Sequence, residues 1–147
     1  MAVQTEPAVP PPAALPPLRS VGRSLEVPPL RLYCHVTIVD GGLAAGSAES
    51  ATAPLFVYVT SSEGSTPALG EFVYALPGRA GAAPISTTLI GGKSAQLAES
   101  NEFAKRLATL LARRHGVPVY AAAAVMDSLD QLQASRAVAE FVAETYA

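Results

Sequence analysis

The chain has no tryptophan, one cysteine and only two histidines, and aromatic residues make up 6% of a sequence that is 50% hydrophobic. Each shortage closes off a kind of chemistry. A lone Cys34 forms no intrachain disulfide, and His35 and His115, far apart and with no second cysteine, give no zinc ligand set. Charge is scarce as well. Ten Lys and Arg against twelve Asp and Glu leave a net charge of −2, too little to draw in nucleic acid or an anionic membrane. No unbroken apolar run reaches the about 18 residues that span a bilayer. The opening Met1-Ala2-Val3-Gln4-Thr5-Glu6 lacks the basic start and apolar core of a secretory signal, and Glu6 is out of place in a mitochondrial presequence. The expected location is the cytoplasm, with the nucleus also open to the chain.

A chain of 147 residues fits one domain, and with so few aromatics its core must come from Ala, Val, Leu and Ile. Prolines crowd Glu6 through Leu18, and a segment so poor in backbone donors joins neither a helix nor a sheet. The expected organisation is a disordered proline-rich tail over 1–24 and a single α+β domain over 25–147. A polyproline ligand is the functional reading of the same tail, and a plain extension the simpler one. From Leu30 to Val39 the chain turns β-branched and aromatic, then breaks at Asp40-Gly41-Gly42 before an Ala/Gly/Ser loop over 43–53. Leu55–Thr60, Glu71–Leu76 and Ile85–Ile90 repeat that pattern between Gly, Ser and Pro clusters. Four strands in series predict an antiparallel meander.

The period then lengthens. Phe103, Leu107, Leu110 and Leu111 fall on one side of a helix, with Ser100 as its cap and Arg113, Arg114 and His115 as dipole-matched residues before a Gly116 stop. Val117 to Val125 reads as a fifth strand, although its alanine run suits a helix too, and Pro118 fits its start or an edge position. Ser128-Leu129-Asp130-Gln131 has capping-box spacing ahead of a last helix whose inner face is Ala134, Val138, Phe141, Val142 and Thr145. The predicted order β-β-β-β-α-β-α gives an α+β fold, a largely antiparallel sheet with both helices on one face.

Alternation along the strands separates two sets of side chains. Leu32, Cys34, Val36, Ile38, Leu55, Val57, Val59, Val73 and Val119 form an aliphatic set. Tyr33, His35, Phe56, Tyr58, Phe72, Tyr74 and Tyr120 form the other, and it is too apolar to face water everywhere. Two helices cover one side of such a sheet and not both, so the aromatic set is the candidate partner interface. Pattern alone leaves a second cover open, namely the chain's own loops or a longer helix.

No catalytic constellation emerges. Gly91-Gly92-Lys93-Ser94 follows a strand and precedes a helix like a phosphate loop, but the position where such a loop needs its first glycine holds Thr87. Cys34 and His35 are adjacent in a strand and point to opposite faces, so they form no thiolate–imidazole pair. Asp127 and Asp130 read as helix-start residues, and no Gly-x-Ser-x-Gly elbow is present. The chain is expected to be no enzyme and to need no cofactor or metal.

Pro84-Ile85-Ser86-Thr87-Thr88-Leu89-Ile90-Gly91, followed by Phe103-Ala104-Lys105-Arg106-Leu107-Ala108, resembles the proteasome assembly chaperone 4 family. That family has a Pro-aliphatic-Ser-Thr-Ser/Thr-Leu-aliphatic-Gly strand, a helix with an aliphatic-Ala-x-Arg-Leu-Ala segment, and a Val-rich strand before a last helix. The resemblance covers roughly residues 84–142. It departs in the last helix, where Ala134-Ser135 precede Arg136 in place of an acidic residue and an Asn. The resemblance implies heterodimerisation with a related subunit, assembly chaperone 3, and binding of proteasome α subunits to promote α-ring assembly of the core particle. Rival functions are a dimeric adaptor of another assembly and a nucleotide-binding protein using Lys93.

Overall fold

Strands rich in Val, Leu and Tyr and two amphipathic helices assemble as a mixed sheet with a helical layer on one side. The computed structural model describes residues 7–9, 17–39, 53–61, 69–91, 98–125 and 128–146. Its elements are β1 (Leu18–Val27), β2 (Leu30–Val39), β3 (Leu55–Thr60), β4 (Glu71–Leu76), β5 (Ile85–Ile90), α1 (Ala98–His115), β6 (Val119–Ala124) and α2 (Gln131–Tyr146). The α+β class and the mainly antiparallel sheet are as the pattern predicts. The turn at 40–42, most of the following loop, Gly92-Lys93-Ser94 and Asp127 lie outside the described residues.

One strand is added and the meander is corrected. Strand β1 pairs antiparallel with β2 along its whole length, from Leu18 opposite Val39 to Val27 opposite Leu30, around the Pro28–Pro29 turn. It takes in residues 18–24 of the span expected as tail, which pair in the sheet. The inner side of β1 carries Arg19 and Arg23 among Val21, Leu25 and Val27, which hides its alternation. Those arginines serve α2: Arg19 donates to the carbonyl of Thr145 in its last turn, and Arg23 pairs with Glu144 and lies 4.7 Å from the centre of the Phe141 ring. A cation at carbonyls that the helix leaves unpaired is favourable, and the arginine stems cover apolar surface at the sheet edge.

The sheet order is β1-β2-β3-β6-β4-β5, so β3 and β4 do not pair as a meander requires. Strand β6 enters between them, parallel to β3 and antiparallel to β4. Its sequence Val-Tyr-Ala-Ala-Ala-Ala has no charge and four of its six residues are buried, which suits a central slot better than an edge. Pro118 sits just before the strand, where its missing N–H costs no ladder bond, and its carbonyl accepts from the Leu55 N–H.

Both helices pack on the face built by Leu32, Val36, Leu55, Val57, Val73, Val119 and Ala121, each of them buried. Helix α1 lies over β4 and β6, and α2 over β1 and β2. All five residues expected on the inner face of α2 are buried. In α1 the buried stripe runs through Phe103, Ala104, Leu107, Ala108, Leu111 and Ala112. The alanines let the helix settle close to the sheet and roll Leu110, expected inside, to the margin at 38% exposure.

Helix starts differ from the sequence reading in detail. Ser100 lies inside α1 and is no cap; its hydroxyl, fully buried, donates to the Val125 carbonyl and accepts from the Val125 N–H at 3.1 and 3.2 Å. It thereby closes the open end of β6. At α2 the cap is Asp130, whose Oδ1 accepts from the N–H groups of Leu132 and Gln133, both at 3.1 Å. Gly116 stops α1 in the left-handed region with φ 65°, its N–H bonded to the Ala112 carbonyl.

Candidate partner-binding face

On the side of the sheet away from the helices, strand register gathers the predicted aromatic set. His35 is opposite Tyr58, Thr37 opposite Phe56, Phe56 opposite Tyr120, and Tyr120 opposite Tyr74. The rings then touch across strands. Phe56 and Phe72 are 6.0 Å apart between centroids, Phe72 and Tyr120 5.9 Å, and Tyr74 and Tyr120 4.6 Å, spacings at which aromatic pairs attract. All seven residues, Tyr33, His35, Phe56, Tyr58, Phe72, Tyr74 and Tyr120, share this face. Among the described residues no helix lies over it.

Burial shows what the sheet does for itself. Ala122 has no exposed surface although it points to the helix-free side, because its cross-strand neighbours Tyr58 and Phe72 close over it. The six aromatic rings are half-buried in this way, and His35 stays exposed. Around His35 the face is polar: the Ser20 hydroxyl is hydrogen-bonded to His35 Nε2 at 3.1 Å and to Thr37 Oγ1 at 2.8 Å. At the opposite end the sequence reading missed an aliphatic margin. Leu76, Ile85 and Ile90 continue the aromatic surface on β4 and β5 and are 42%, 73% and 50% exposed. Ile85 and Ile90 were legible as strand residues, but the facing of Ile90 depends on a bulge in the β4–β5 ladder at Phe72/Val73 that pattern does not reveal.

The remaining reactive types are held in structural roles. Cys34 is on the helix side, opposite to His35, and burial pushes its thiol up to about 12, far from a nucleophile's range. His115 does not serve as the cationic cap expected from its position. Its ring stacks on Tyr146 at 4.8 Å, and burial, with Arg114 adding repulsion, holds its pKa below the ordinary value. Glu71 is buried under α1, where the Asn101 amide donates to it at 2.9 Å and to Thr88 Oγ1 at 3.2 Å. Its carboxyl oxygen would stand 3.1 Å from a Cβ placed at Gly91, an acceptor where a phosphate loop would need donors. Among the described residues no cluster of His, Cys, Asp or Glu could hold a metal ion, and no helix is long and apolar enough to cross a membrane.

The sequence profile of the family described as proteasome assembly chaperone 4 matches residues 49–125, from the approach to β3 through β6. In fold the chain is similar to a chain in the crystal structure of a novel chaperone complex for yeast 20S proteasome assembly. The TM-score is 0.57 at 17% identity, covering 88% of this chain and 92% of the other. No curated protein sequence matches the chain significantly. The profile spans more than half of the residues: the chain belongs to the proteasome assembly chaperone 4 family, a family of chaperones and not of enzymes.

Proposed function

We propose that the chain, as a member of the proteasome assembly chaperone 4 family, works as one half of a heterodimer with a related subunit, assembly chaperone 3. In that form it binds proteasome α subunits and promotes α-ring assembly of the core particle, in the cytoplasm and nucleus. One observation carries the reading: Tyr33, His35, Phe56, Tyr58, Phe72, Tyr74 and Tyr120 stand on a single sheet face that no described helix covers. Six strands about 4.8 Å apart and about 20 Å long present a flat projection of roughly 500 Å². Side-chain relief and a loop rim would have to add to it to reach the about 800 Å² per partner of a stable specific complex. A second sheet packed about 10 Å away would interleave with the rings as the two layers of a sandwich do. The yeast relative is likewise described as part of a chaperone complex for 20S proteasome assembly, which supports a paired working form.

Catalysis is not needed for this work. A paired chaperone that binds correct ring intermediates better than wrong ones shifts assembly by mass action, and it leaves when later contacts compete for its surface. The test is size-exclusion chromatography with mass detection, alone and with the related subunit, followed by capture of α subunits. A one-to-one complex that retains an α subunit is expected. A tightly folded monomer that captures neither would overturn the proposal, as would recovery of vesicle or signalling proteins without proteasome subunits.

A further inference from the structure

The two ends of the exposed sheet face differ in chemistry, and so do the two sheet edges. At the β1–β2 end stand the hydrogen-bonded Ser20, His35 and Thr37, with the Arg31–Glu26 ion pair beside them. Those groups are already satisfied and solvated, and drying them costs free energy without an equal return. Leu18 is apolar but sits at the far corner, opposite Val39 and beyond the polar group. At the β4–β5 end the surface is aliphatic, and Ile85 is its most exposed member at 73%.

The edges follow the same division. Strand β1 carries Arg19, Arg23 and Glu26, the kind of charge that keeps a free edge from pairing with other chains. Strand β5 reads Ile-Ser-Thr-Thr-Leu-Ile, with no charge and no internal proline, and nothing among the described residues pairs with its outer side. An edge of that composition left in water invites aggregation.

From these asymmetries we infer that the partner subunit sits off-centre, over β6, β4 and β5, burying Ile85 and Ile90 and shielding the β5 edge, while the Ser20–His35–Thr37 end stays at a wet rim. This rests on the pairing proposed above and assigns its dry centre. The partner surface that fits is aliphatic and aromatic opposite β4 and β5, and hydrogen-bonding opposite β1 and β2.

The experiment compares three forms of the full chain for affinity toward the co-expressed pairing subunit, each first checked for an unchanged melting curve. I85D/I90D is expected to weaken pairing by about 30-fold or more, the scale of interface hot spots. S20D is expected to leave affinity within about threefold, as rim positions do. F72D, at the middle of the aromatic row, separates failures. If F72D abolishes pairing while I85D/I90D is harmless, or S20D is the damaging change, the offset is wrong and the face is still used. If none of the three weakens a complex that forms, both the offset and the face are wrong. Hydrogen exchange on the unmodified complex gives an independent check: slowed exchange of β5 amides with β1 unchanged is expected, and the reverse would overturn the inference.

Discussion

His115 shows how far residue type and position can mislead at the scale of one side chain. Last in α1 and next to two arginines, it has the place of a dipole-matched cation, yet its ring is stacked on Tyr146 and half withdrawn from water. Nothing in the local sequence announces Tyr146, which lies 31 residues further along the chain and meets His115 only when α1 and α2 pack. The consequence is a pH dependence of defined sign. The folded-state pKa is lowered from 6.5, so the unfolded chain binds the extra proton first, and stability falls as pH drops below that value. The melting temperature should decline between about pH 7.5 and about pH 5.5, and H115F, which keeps the stack and loses the titration, should flatten part of that decline. An identical slope in the variant would remove His115 as its source. The Cys34–His35 pair was readable without tertiary knowledge, because neighbours in a strand point apart whatever the strand packs against.

Elements were legible where their own hydrophobic period was clean, and obscured where long-range partners supplied the missing burial. Strand β1 is the clearest case: Arg19 and Arg23 occupy inward positions and bond to the last turns of α2, more than a hundred residues later. In helix α2, by contrast, all five residues expected inside are buried, with Ser135 and Ala139 beside them, and its cap differs, Asp130 taking the role that capping-box spacing gave to Ser128. D130A should therefore destabilise the fold by about 1 kcal/mol, measured by denaturant unfolding, and S128A by much less. Equal losses would restore the original cap. Ser100 illustrates the same dependence on distant partners: its hydroxyl terminates β6 at Val125, a pairing that α1's own sequence does not suggest.

For the whole molecule the decisive quantity is cover: two helices protect one side of a six-stranded sheet, and among the described residues no helix covers the aromatic side. A subunit that binds only the folded chain stabilises it by mass action, about 2.7 kcal/mol when present at 100 times its dissociation constant. The melting temperature should thus climb with the concentration of the pairing subunit, and a value indifferent to it would argue that the face does no pairing. The sequence by itself determined the α+β class, the periods of five strands and two helices, and the partition of aliphatic from aromatic side chains, since these follow from residue type and local spacing. Tertiary structure alone decided that β6 divides β3 from β4, that an arginine-bearing strand closes one edge, and that an aliphatic margin extends the aromatic face along β5. Which strand sits beside which depends on burial summed over contacts distant in the chain, and no local period encodes that sum.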